Sequence, residues 1–194
     1  MSVDLGRVNI LGADAIGKPG QRQFRLFAQS AAGSTLMWLE KEQLDGLSVA
    51  LDRSLALITE GQVLRTEAQA VVGEPRSVEG MPADFPKTPG YEFQVGQMRL
   101  NFNEQDTTFE LNVVPLEVIM ERGQEPQVRM REEDVLSLIF TQLQAQQLSS
   151  LIRKVITGGR PVCPFCHTPL DGGPHACVKQ NGHREVLQIE EGEE

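Results

Sequence analysis

Leu39-Glu-Lys-Glu-Gln-Leu-Asp-Gly-Leu47 and Leu143-Gln-Ala-Gln-Gln-Leu-Ser-Ser-Leu151 are the two stretches on which the architecture of this chain turns. Aligned at an offset of 104, they share a leucine, a glutamine and two further leucines, and each follows an apolar run and opens a helical pattern. Past the first, Leu44, Leu47, Leu51, Leu55 and Ile58 recur on one helical face while Asp45, Asp52 and Arg53 fall off it, which predicts a helix from about Glu40 to about Leu64. Past the second, Ala145, Leu148, Leu151, Ile152, Val155 and Ile156 mark another amphipathic helix, stopped by Gly158-Gly159 with Pro161 just beyond.

Upstream of each helix the period changes from helical to alternating. Between Val8 and Leu39 the inward sets read as Val8 and Ile10, then Phe24, Leu26 and Ala28, then Leu36 and Trp38. Gly17-Lys-Pro-Gly20 and Ala32-Gly-Ser34 separate three strands by turn chemistry. In the second half Phe93, Val95, Met98, Leu100 and Phe102 are followed by the turn Asn103-Glu-Gln-Asp106 and by Phe109, Leu111, Val113 and Val114. Met120 to Arg131 is polar with Gly123 and Pro126, and reads as a hairpin tip. Val135 to Leu143 suits either a strand or an acidic helix start; comparison of the two halves makes it the sixth strand. Four prolines between Glu74 and Gly90 make that stretch a connector.

The expected fold is therefore α+β: a duplicated βββα unit forming a mostly antiparallel sheet with two helices, followed by a small C-terminal zinc ribbon. The body spans 1–157, with repeat one at about 6–64, a linker at about 71–90 and repeat two at about 91–157. The ribbon occupies 158–184 and an acidic tail 185–194.

The ribbon rests on a concentration of ligand residues. All three cysteines (Cys163, Cys166, Cys177) and all three histidines (His167, His175, His183) lie within 21 positions. A Cys-x-x-Cys turn followed by His-x-Cys supplies soft and borderline donors for one tetrahedral zinc ion. Cys163, Cys166 and Cys177 are the expected thiolate ligands; His175 and His183 compete for the fourth place, since Cys177 and His183 also make a second knuckle. His167 directly follows a ligand and is read as a turn or solvent residue. Three thiolates and one imidazole close the coordination sphere and leave no position for an activating water, so the zinc is expected to be structural.

Charge narrows the partners. The formal net charge is −9, which argues against wholesale binding to nucleic acid or to an anionic membrane surface. From Arg153 to Arg184, Arg153, Lys154, Arg160, Lys179 and Arg184 stand against Asp171 alone, whereas Glu185 to Glu194 carries five carboxylates and no base. No run approaches the ~20 apolar residues that span a bilayer, and the amino terminus lacks the charged and apolar regions of a leader. Cysteines confined to a ligand-spaced cluster fit a reducing compartment, so a cytoplasmic protein is expected.

Three segments together resemble a known family: Gly17-Lys-Pro-Gly-Gln-Arg-Gln-Phe24, Leu39-Glu-Lys-Glu-Gln43, and Gly158-Gly-Arg-Pro-Val-Cys-Pro-Phe-Cys166 continuing to His175-Ala-Cys177 and Asn181-Gly182. They are similar to the uncharacterised bacterial "repeat protein" family, a domain of unknown function numbered 3090, over essentially the whole chain. The resemblance implies a cytosolic protein without assigned activity, and its signature favours His175 over His183 as the fourth ligand. Gly173-Pro-His175 and the histidine at 167 depart from the family pattern without removing a ligand.

Other signals have plainer readings. Gly17-x-x-Gly20 before Arg22 lacks the following helix that a phosphate loop needs, so it is a hairpin turn. Trp38 is read as core, and Glu40, Glu42 and Asp45 as a solvated first helical turn. With no nucleophile elbow and no histidine outside the ribbon, the expected function is a non-catalytic zinc-binding module that docks a protein partner. Nucleic-acid binding through the basic ribbon is the alternative, and a metal-dependent enzyme using His183 or Asp171 is the third reading.

Overall fold

The computed structural model describes residues 2–18, 20–59, 76–120 and 125–158, together with Cys163, Cys166, Leu170 and Cys177. Nine strands and two helices follow one another along the described residues. β1 (Val3–Arg7), β2 (Ile10–Ile16), β3 (Gln23–Ser30) and β4 (Gly33–Leu39) lead into α1 (Lys41–Thr59). β5 (Arg76–Glu79), β6 (Tyr91–Asn103), β7 (Thr108–Ile119), β8 (Gln127–Met130) and β9 (Leu136–Thr141) lead into α2 (Gln142–Thr157). The class is α+β, with a mostly antiparallel mixed sheet in the order β1-β9-β7-β6-β4-β3-β2-β5 and β8 beside β7. The parallel pairs are β1 with β9, β4 with β6, and β2 with β5.

Alternating burial explains which strand faces meet the helices. Phe24, Leu26 and Ala28 of β3, and Leu136, Leu138 and Phe140 of β9, enter one core with Leu44, Leu47, Leu51 and Leu55 of α1 and Ala145, Leu148, Leu151, Ile152 and Val155 of α2. The helical faces read from the sequence are thus the buried ones. On β4 the inward residues are Met37 and Leu39. The expected inward set Leu36 and Trp38 points the other way, where Leu36 joins Phe27 and Phe85 in a second cluster with Ile10, Trp38 and Met81 packed against it. A strand buried on both faces carries no clean alternation, so the sequence does not mark which face of β4 turns to the helices.

The segment from β1 into β2 joins one end of the strand order to the strand next to its other end. The Val8 amide donates to the Ile139 carbonyl at 2.9 Å, and the next amide, Asn9, donates to the Gln29 carbonyl at 2.9 Å. The chain from β1 into β2 therefore hydrogen-bonds β9 on one side and β3 on the other, and the strands β9, β7, β6, β4 and β3 close into a ring through it. β6 repeats the arrangement: Tyr91–Gln94 pairs parallel with β4, the register shifts between Val95 and Gln97, and the remainder pairs antiparallel with β7. Gly96 sits at that shift, where an added Cβ would lie 3.2 Å from the Val114 carbonyl oxygen.

The lead segment of each half is thus paired with the last strand of the other, and two glutamines fasten the exchange. Gln43 accepts the Glu40 amide at 2.9 Å and donates Nε2 to the Val95 carbonyl at 3.0 Å. Gln144 accepts the Thr141 amide at 2.9 Å and donates Nε2 to the Val8 carbonyl at 3.2 Å. Each closes the first turn of its helix from the third helical position and holds the adjacent parallel strand with the other end of its amide. Gln43 and Gln144 lie 101 residues apart, as do Leu47 and Leu148, whereas the stretches matched in the sequence lie 104 apart.

Other boundaries move as well. β1 begins at Val3, ahead of the expected start of repeat one at about 6, and the described residues hold nine strands where six were expected. The connector contains β5, and its Phe85 ring packs edge-on against Phe27 with centroids 5.6 Å apart. The polar stretch from 120 to 131 includes β8, which pairs Val128 with Val118 and Met130 with Leu116 of β7. The sixth expected strand, 135–143, is shortened to β9, because Thr141 caps α2. α1 is described to Thr59, and its expected extension to about Leu64 lies outside the described residues.

Candidate metal centre

Cys163, Cys166 and Cys177 come together in space although up to 14 residues separate them. Their Sγ atoms all lie within 4.8 Å of one another, and Cys163 Sγ is 3.7 Å from Cys177 Sγ. None of the three is in a disulfide. A sulfur-to-sulfur distance of 3.7 Å is far beyond the ~2.05 Å of a disulfide bond. It equals the edge, ~3.8 Å, of a tetrahedron whose centre holds thiolates at ~2.3 Å. Such a spacing is what one ion shared by both sulfurs requires.

Burial is graded across the cluster. Cys163 and Cys177 are each 4% exposed, whereas Cys166 is half-buried. Buried thiols behave as small hydrophobes, so burial alone would be met by a packed pair; the convergence of a third, partly exposed sulfur is what points to a metal. Three converging sulfurs could hold a metal ion, and a tetrahedral site would need a fourth donor. The sequence candidates for that place, His175 and His183, lie outside the described residues, as do His167 and Asp171. The described cysteines are thus the three that the Cys-x-x-Cys and His-x-Cys spacing singled out.

The remaining candidates behave as the plainer readings required. Glu40, Glu42 and Asp45 are all exposed at the start of α1. Gly17 occupies a turn at φ 101°, and an added Cβ there would meet the Gln21 carbonyl oxygen at 2.5 Å; the glycine serves the β2–β3 hairpin. Arg153 and Lys154 are exposed near the end of α2, and Arg153 is engaged with Asp52 of α1 at 2.6 Å. Arg160, Lys179 and Arg184 lie outside the described residues. No described helix is long and apolar enough to cross a membrane.

Trp38 does more than fill space. Its indole donates to Glu92 at 3.0 Å, and the Arg25 guanidinium lies 5.6 Å from its ring centroid. Arg25 in turn makes a two-pronged contact with Asp14, Nε to Oδ1 at 2.8 Å and Nη2 to Oδ2 at 2.5 Å. Asp14 and Arg25 are direct cross-strand partners on β2 and β3, so alignment of the hairpin about its Gly17 turn was the available signal for them. A bidentate arginine stacked on an indole orders the outer face of the sheet.

No match to this chain was found among curated proteins or among solved structures. A family description does match, over residues 4–177, and it takes in the sheet, both helices and all three cysteines. The chain belongs to the family described as Protein of unknown function (DUF3090).

Proposed function

We propose that this protein is a non-catalytic zinc-binding module that docks a protein partner. The single observation that carries the reading is the convergence of three thiols within 4.8 Å, with one pair 3.7 Å apart. Zinc suits three thiolates and one imidazole, has no redox chemistry of its own, and takes that geometry in structural sites. His175 is the proposed fourth ligand and His183 its alternative. The ribbon spans 158–184, short enough that metal binding supplies most of its folding energy, and the acidic tail follows at 185–194.

The body carrying the ribbon is read as a duplicated unit, in repeats at about 6–64 and 91–157. Support comes from the paired glutamine clamps, Gln43 on Val95 and Gln144 on Val8, and from the reciprocal pairing of lead segments. Across the helices Ser149 donates to Asp52 at 2.5 Å and Arg153 pairs with the same carboxylate, which ties α1 to α2.

The test is a partner captured from the source cell by the full chain and by Cys163→Ser, each analysed for bound metal. The reading expects one zinc per chain and a stoichiometric protein partner on the unaltered chain, and neither on the variant. A chain that holds zinc but binds equally well with and without it would remove the ribbon from the docking role.

A further inference from the structure

We propose that the three-cysteine centre is a peroxide-sensitive switch, in which oxidation begins at Cys166, forms a disulfide with a buried neighbour and ejects the metal; this rests on the zinc reading above. Exposure selects the first sulfur. Cys163 and Cys177 are 4% exposed, whereas Cys166 is only half-buried. A thiolate ligand at a partly exposed position is the one that a small oxidant reaches first.

The chemistry then follows from the spacing. The Cys166 thiolate attacks one peroxide oxygen, the O–O bond breaks, hydroxide leaves, and Cys166 becomes a sulfenic acid. A neighbouring thiolate attacks the sulfenic sulfur, an S–S bond forms, the S–O bond breaks, and the second hydroxide leaves. Two sulfurs together give up two electrons, and one peroxide becomes two waters on taking up two protons. Both candidate neighbours lie within 4.8 Å of Cys166, so bond formation at ~2.05 Å needs an approach of under about 3 Å. Competing over-oxidation needs a second peroxide, whereas the resolving sulfur is already in place.

Disulfide formation removes two of three thiolates at once. The remaining cysteine and one histidine cannot hold a structural zinc ion against water, so the metal leaves and the segment that depends on it loses its organising centre. Thiol reductant and fresh zinc restore the centre, because a disulfide is the reversible rung of cysteine oxidation.

Metal-loaded full-length protein treated with one equivalent of hydrogen peroxide tests this. Released zinc is read with a colorimetric chelator, and thiols are read by alkylation under denaturing conditions followed by peptide mass spectrometry. The expected result is release of the metal, a fall from three alkylated cysteines to one, alkylation retained on Cys163 or Cys177 but absent from Cys166, and recovery of all three with dithiothreitol. Cys166→Ala, if it retains metal, loses it to peroxide about tenfold more slowly. Metal-loaded protein that keeps its zinc and three alkylated cysteines overturns the switch, and so does a residual alkylated thiol at Cys166. Protein that takes up no zinc even when reconstituted fails at the earlier step and overturns the metal reading itself.

Discussion

Gln144→Ala isolates the fastening between the two halves. Gln144 is 0% exposed; its Oε1 accepts the Thr141 amide at 2.9 Å and its Nε2 reaches the Val8 carbonyl at 3.2 Å. Truncation leaves both groups without those partners in the interior, at about 1–3 kcal/mol each. Alanine returns a few tenths of a kcal/mol through its better helix propensity. The net cost is therefore about 2–5 kcal/mol, which in a domain of this size lowers Tm by roughly 5–15 °C. Gln43→Ala is the matched control, because Gln43 makes the same two kinds of bond from a half-buried position. Water can reach the groups it releases, so its cost is about 1 kcal/mol or less. Urea unfolding of both variants gives the comparison, with an unchanged slope showing that the unfolded states are alike. Hydrogen exchange locates the damage: the Val3 and Val8 amides, which bond Val135 and Ile139 across the β1 junction, should lose protection before β3 does. Equal costs for the two variants, or a cost below about 1 kcal/mol for Gln144→Ala, would refute the claim that this side chain secures β1.

Leu44→Ala and Leu148→Ala, both at 0% exposure, should each cost about 2–5 kcal/mol in the same assay; near-zero values would contradict the common core beneath α1 and α2. Coexpressed fragments 1–65 and 66–194 should co-purify as a folded pair while neither folds alone, since each half takes its lead-segment partner from the other; a folded, monomeric fragment 1–65 would sink that argument. Cys163→Ser should abolish metal binding and perturb proton/nitrogen resonances from the cysteine segment while those of β3, β9, α1 and α2 hold their positions, and collapse across the whole spectrum would show that the centre is integral to the main core.

Much of this was legible because helices and ligand clusters write themselves locally. The apolar faces of α1 and α2 were readable at a 3.6-residue period, and residues 163–177 announced a ligand set through spacing alone. What escaped was non-local. β1 is a five-residue strand whose partner is β9, at the far end of the body, and so short a run, Val-Asp-Leu-Gly-Arg, carries little periodic signal. β5 lies within a proline-rich stretch and pairs parallel with β2, a contact that no turn chemistry advertises. Trp38 packs against the second apolar cluster, in keeping with its core reading; its polar neighbours, Arg25 and Glu92, become visible only once β3, β4 and β6 lie side by side. Gln43 and Gln144 escaped for the same reason, since what their amides reach shows only in the folded chain.

X-ray absorption on the isolated full-length protein tests the central claim most directly. The account predicts zinc coordinated by three sulfurs at about 2.3 Å and one nitrogen at about 2.0 Å, with no oxygen in the first shell. Two or fewer sulfurs, or an oxygen ligand marking an open catalytic position, would contradict it.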